Sequence, residues 1–207
     1  MDLVLVLAGV ALAQLAAVIS PGPSLLVVAR VSIATSRSAG AWTAVGLGVG
    51  SVIWAAAALF GLQAAFATLP WLYTVMKVAG ALYLFYLAIM LWRHARTPID
   101  IGGKSGQSAM SRRAAVRRGL LTQLANPKVA VFFGSIFVTL LPPQPSPAFY
   151  AVLLPLVFLV EAAWYVFVAH ALSTEHLRRR YARLKAAIDR ITGTVLAGLG
   201  AKLIADG

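Results

Sequence analysis

The sequence predicts an all-α membrane helix bundle, and three observations lead there. Of its 207 residues 60% are hydrophobic and 12% charged, with a mean hydropathy of +0.85. A water-soluble chain of this size has far more surface than 18 Lys and Arg with 6 Asp and Glu could make polar. The apolar residues come in runs of about 20, the length of helix that crosses a hydrocarbon core. Finally, 15 of the 18 Lys and Arg fall in alternate connections between those runs, the pattern of loops held on one membrane face.

Six spans are expected, near 3–29, 41–64, 70–92, 118–141, 148–172 and 187–205. The first contains Pro21-Gly22-Pro23. Proline has no N–H, so Pro21 frees the carbonyl of Ala17 and Pro23 that of Ile19, with Gly22 between them unable to enforce helical geometry. In lipid, such carbonyls are tolerated only where protein or a water-filled cavity meets them. The second span carries Gly46 and Gly50, a small-residue face suited to a helix contact or a dimer seam, and a deep Trp54. The third holds Lys77 near its outer end, where a lysine can snorkel. In the fourth, Pro127 frees the carbonyl of Gln123, and Asn126 and Lys128 beside it are expensive in hydrocarbon. Glu161 and Trp164 lie deep in the fifth. Before the sixth, Leu177, Tyr181 and Leu184 share a helical face with arginines turned away, which reads as a short interfacial helix on anionic lipid.

The basic connections are the odd ones, so the span number is even and both termini lie outside. The two breaks then fall on antiparallel helices, each about nine residues, or roughly 13 Å, from the cytoplasmic end. This is the layout of a 3+3 inverted repeat in which interrupted helices one and four meet at a central binding site. The chain divides into a first repeat 1–92, a cytoplasmic linker 93–117 and a second repeat 118–207, as one transmembrane domain. Glu161, at nearly the depth of Lys128, is expected near it, taking up and releasing a proton. Pro21, Gly22, Pro23, Asn126, Pro127 and Lys128 are the candidate substrate-binding residues, with Lys77, Trp54 and Trp164 as accessory candidates.

Other readings are weaker. The net charge of +12 forms no single patch, which argues against nucleic acid. Residues 102–106 resemble part of a phosphate loop but lack its first glycine and a preceding strand, so they read as flexible linker. The first 20 residues have no positive charge and do not read as a signal peptide. There is no cysteine, and the three histidines are scattered at helix ends and loops, so neither a metal nor another cofactor is expected. An intramembrane enzyme would need a base at the depth of Ser20 or Ser24, and no histidine lies there. A passive channel would need a polar or charged ring that one glutamate supplies poorly; a non-transporting scaffold is the remaining alternative.

Four stretches, "ISPGPSLLVVARVSIATSRSAG", "KVAGALYLFYLAIMLWR", "GLLTQLANPKVAVFF" and "RITGTVLAGLGAKLIADG", resemble the LysE/RhtB family of bacterial amino-acid exporters. The resemblance runs in order over nearly the whole chain. It implies proton-driven efflux of an amino acid or derivative across the inner membrane, by a protein that is no enzyme and forms a homodimer. By position it marks Pro21, Gly22, Pro23, Asn126, Pro127 and Lys128 as signature residues and Lys77 as a common lysine. Glu161 stands where family members often carry aspartate. Alternating access by rocking of the two halves is the mechanism expected.

Overall fold

A computed structural model describes residues 3–69, 71–97, 110–140 and 147–205, and their regular structure is helical throughout. α1 (Leu3–Ile19) and α2 (Pro23–Ala34) meet at a bend of 58°. The bend follows from proline chemistry: α1 loses its ladder at Pro21, and α2 restarts with Gly22 as N-cap and Pro23 in the first turn, where a missing N–H costs nothing. α3 (Arg37–Thr68) starts where Ser36 Oγ accepts the Ala39 N–H at 3.1 Å. α4 (Trp71–His94) follows. α5 (Arg112–Leu124), capped by Ser111 Oγ on the Ala114 N–H, meets α6 (Pro127–Leu140) at 60°. α7 (Pro147–Ala171) keeps Pro155 within an unbroken helix, and α8 (Glu175–Ala205) ends the chain.

α3 and α7 are each long and apolar enough to cross a membrane, and the pairs α1/α2 and α5/α6 pass the same test as bent units. The described residues thus give two to four spans by length and composition, and the chain is a multi-pass membrane protein. Helix α5 starts at Arg112, ahead of the start expected for the fourth span; residues 102–106 lie outside those described.

One expectation fails. The stretch around Tyr181 is not a separate interfacial helix but the first half of α8. Leu177 and Leu184 are exposed, whereas Tyr181 and Lys185 turn inward. Lys185 Nζ donates to the carbonyls of His94 (2.7 Å) and Ala95 (3.3 Å) and to Asp189 Oδ2 (2.7 Å). It thereby caps the C-terminus of α4, and this docking carries α8 straight through the position where the apolar pattern suggested a boundary.

Two apolar cores flank one polar layer. On α7, Leu153 and Val157 belong to the first core, Tyr165 and Val168 to the second, and Glu161 lies between on the same buried face. On α1, Gln14 likewise follows Val10 of the first core and precedes Val18 of the second. α3 and α5 touch backbone to backbone: a Cβ on Gly46 would sit 2.0 Å from the Val116 carbonyl oxygen, and one on Gly119 2.0 Å from that of Thr43. The Gly46/Gly50 face is therefore filled within the chain and offers no dimer seam.

Candidate functional site

The break in α1/α2 leaves four carbonyls at the end of α1, and a different side chain meets each. Ala16 O accepts from Thr192 Oγ1 (3.3 Å), Ala17 O from Lys128 Nζ (3.1 Å), Val18 O from Tyr165 Oη (3.5 Å) and Ile19 O from Tyr181 Oη (3.3 Å). The carbonyls freed by Pro21 and Pro23 thus bind α1 to α6 and α8, and the Val18 carbonyl between them binds it to α7. The carbonyl freed by Pro127 is also met: Gln123 O accepts from Trp54 Nε1 (3.2 Å) and the Asn126 N–H (3.1 Å).

The two breaks touch. Asn126 caps α6 through Oδ1, which accepts the Lys128 N–H at 3.1 Å, while its Nδ2 donates to Ser24 Oγ at 3.1 Å. Both restarted helices use one device, a cap residue, a proline, then a polar side chain: Gly22-Pro23-Ser24 and Asn126-Pro127-Lys128. Proline suits the first turn, and asparagine suits the cap.

Beneath the breaks lies the polar layer. Glu161 is 3% exposed. Its Oε1 accepts from Gln123 Nε2 at 2.6 Å and its Oε2 from Gln14 Nε2 at 3.1 Å. Gln123 also donates to Ser51 Oγ (2.6 Å) and accepts from Ser24 Oγ (2.6 Å), and Gln14 also donates to Val157 O (3.0 Å). A buried carboxylate so served is fixed in place without a cation in contact.

A cavity of about 30 Å³ opens onto Gln14, Ser20, Gly22, Asn126, Lys128 and Glu161. That is room for one or two waters. Of the expected residues, Gly22, Asn126, Lys128 and Glu161 are brought together here. Pro21 and Pro23 line a neighbouring cavity instead. Pro127 starts α6, and Lys77 lies on α4; their side chains are outside those described. The expected proximity of Glu161 and Lys128 holds as a shared cavity wall, but not as a contact ion pair: the glutamines hold the carboxylate, and the ammonium donates to Ala17 O. Trp54 serves the Gln123 carbonyl rather than the cavity, and Trp164 faces a separate apolar groove with Leu12 and Phe167. No group of metal-binding side chains occurs among the described residues.

Gln14, Ser51, Gln123 and Tyr165 are the site residues that sequence reasoning missed. A buried amide in an otherwise apolar span is itself a signal, and Gln14 and Gln123 both carry it. Trp54→Phe tests the wiring. It removes one bond to a carbonyl that keeps a second, so a stability loss of about 1 kcal/mol is expected, read as a lowered midpoint of thermal unfolding in detergent. An unchanged midpoint would mean that the bond contributes nothing.

Residues 15–207 match the LysE type translocator family. The chain is 33% identical over 197 residues to the threonine efflux protein of Salmonella typhi, covering 94% of this chain and 95% of that protein. It is 31% identical to the threonine efflux protein of Escherichia coli K12 with the same coverage, and 26% identical to the leucine efflux protein of Klebsiella pneumoniae over 90% of this chain and 88% of that one. No solved structure matches. Broken helices meeting over a buried carboxylate, and a family match over almost the full length, agree: this chain belongs to the LysE type translocators, which are transporters and not enzymes.

Proposed function

We propose that this protein exports an amino acid, or a derivative of one, across the bacterial cytoplasmic membrane by proton-coupled alternating access. The observation that carries the reading is the contact between the two helix breaks above a cavity that holds both an ammonium, Lys128, and a carboxylate, Glu161. A zwitterion needs both. Relatives bearing the names threonine and leucine efflux protein support the substrate class.

The protein crosses six times as an inverted repeat, α4 and α8 completing the two halves, with both termini outside. Support comes from the order of elements: a bent pair, a long helix and a further helix occur twice. α3 packs on α7 and α4 on α8, the pairings that a twofold axis would relate. Glu161 carries the proton, and the halves rock about the touching breaks. Because the inner cavity now admits only water, the site must widen to take substrate, which alternation supplies.

Everted vesicles test this. An imposed proton gradient is expected to drive saturable uptake of labelled L-threonine or L-leucine, and a protonophore to abolish it. Uptake proportional to concentration and indifferent to the protonophore would establish a channel. No uptake of any amino acid would end the reading.

A further inference from the structure

A second cavity, of about 400 Å³, lies between α2, α4 and α8. Gly22 and Lys128 line both cavities and form the partition between them. The outer one has the size of a small-molecule site. Its apolar wall includes Leu26 and Leu91, and its charged wall is Arg30, Lys128, Lys185 and Asp189.

Asp189 is 2% exposed, and its two oxygens differ. Oδ2 accepts from Lys185 at 2.7 Å, while Oδ1 is buried with no hydrogen-bond partner. Lys185 has no proton left to offer, since its three donors go to Asp189 and to the carbonyls of His94 and Ala95. A buried carboxylate oxygen without a donor is costly, and because Asp189 lines this cavity, a turn of its carboxylate would bring Oδ1 to a donor on a ligand there. Across that space stands Lys128, which makes a single side-chain bond among the described residues, to Ala17 O, and is drawn electrostatically by both Glu161 and Asp189. The arrangement is one ammonium between two carboxylates, one in each cavity.

We propose that the outer cavity is a staging site for the zwitterionic head group of an amino acid, with the ligand's ammonium on Asp189 Oδ1 and its carboxylate on Lys128. Passage inward moves the ammonium from Asp189 to Glu161 while the carboxylate stays on Lys128. The inference rests on the export reading and adds a site to it. Volume supports the order of events, because the outer cavity is formed in the same conformation that leaves the inner one too small.

The native chain has no cysteine, so Thr97→Cys, at the rim of the outer cavity, gives a single maleimide reporter. L-threonine or L-leucine at ten times its dissociation constant is expected to slow labelling about tenfold. The matching amine and 2-hydroxy acid, each lacking one charge, leave the rate unchanged. Protection survives Glu161→Gln and disappears in Asp189→Asn. If Asp189→Asn misfolds, Lys185→Gln with Asp189→Asn removes the pair without stranding a charge and is expected to lose protection too. In transport, Asp189→Asn raises KM about tenfold, as for loss of one charge-assisted bond, with maximal flux kept. Protection that persists in the Asp189 variants, or that vanishes with Glu161→Gln, overturns the staging site. If an amino acid is exported but none protects, the staging site falls and export stands; if none is exported, both fall.

Discussion

Glu161→Gln is expected to abolish gradient-driven export while leaving the protein folded. The carboxylate accepts from the amides of Gln14 and Gln123, so a glutamine placed there would present an N–H₂ group to a donor. The conflict resolves locally. If Gln123 turns its amide over, its oxygen accepts from residue 161 and from Ser51, and its nitrogen donates to Ser24. The two serine hydroxyls that contact Gln123 can rotate to follow. Every bond to Gln123 has a substitute, only the charge is lost, and the stability change is expected within about 1 kcal/mol. Glu161→Leu is the contrasting variant. It strands two buried amide donors at about 1–3 kcal/mol each and is expected to lose folded protein as well as flux. Thermal unfolding in detergent reads the first quantity and everted vesicles the second. Exchange of labelled for unlabelled amino acid without a gradient then separates the two roles of the carboxylate. If Glu161→Gln still exchanges, the glutamate serves coupling. If exchange is lost too, it also holds the substrate's ammonium. Wild-type gradient-driven export by Glu161→Gln would remove the proton from this residue altogether.

The positions of the helix breaks were legible in the sequence, and the wiring around them was not. Pro21, Pro23 and Pro127 announce broken ladders because proline lacks a donor whatever surrounds it, and counting residues along a helix places the breaks. Glu161 stands out because a charge in hydrocarbon is rare. Which carbonyl meets which side chain depends on helix faces, and α1 is apolar nearly all round, so its pattern does not say which side turns inward. That is why the partner of Lys128 came out as the Ala17 carbonyl rather than Glu161. Tyr181 misled for a related reason. Grouped with Leu177 and Leu184 by hydropathy it looks lipid-facing, but its hydroxyl is what Ile19 O requires. Pro155 shows the converse limit: a proline within α7 leaves that helix continuous, so a proline marks a break only where the neighbouring residues start a new helix.

Gly46→Val and Gly119→Val are expected to be the most damaging changes for stability. Helix association in lipid has no hydrophobic drive between spans and rests on close packing and hydrogen bonds. At the α3–α5 crossing that packing is backbone on backbone, with the Val116 and Thr43 carbonyls in the space a side chain would take. A flexible side chain could swing aside, but a carbonyl in a helix ladder cannot, so the helices must separate. Overpacking usually costs about 1–3 kcal/mol, and a backbone obstacle puts these variants at or above the top of that range. Loss of most folded protein from a detergent size-exclusion profile is the expected reading. Gly198→Ala, with nothing within 4 Å of the added carbon, is the control and should be neutral or slightly stabilising, since alanine favours helix over glycine. The same seam reaches the site one turn further on. A Cβ on Gly50 would lie 2.6 Å from that of Gln123, the residue that holds Glu161. Gly50→Ala is therefore expected to lower export more than it lowers stability, because the carboxylate's own donor is what it displaces. If Gly50→Ala exports normally while Gly46→Val still fails to fold, the crossing builds the bundle without positioning Glu161, and the site owes its geometry to the helix breaks alone.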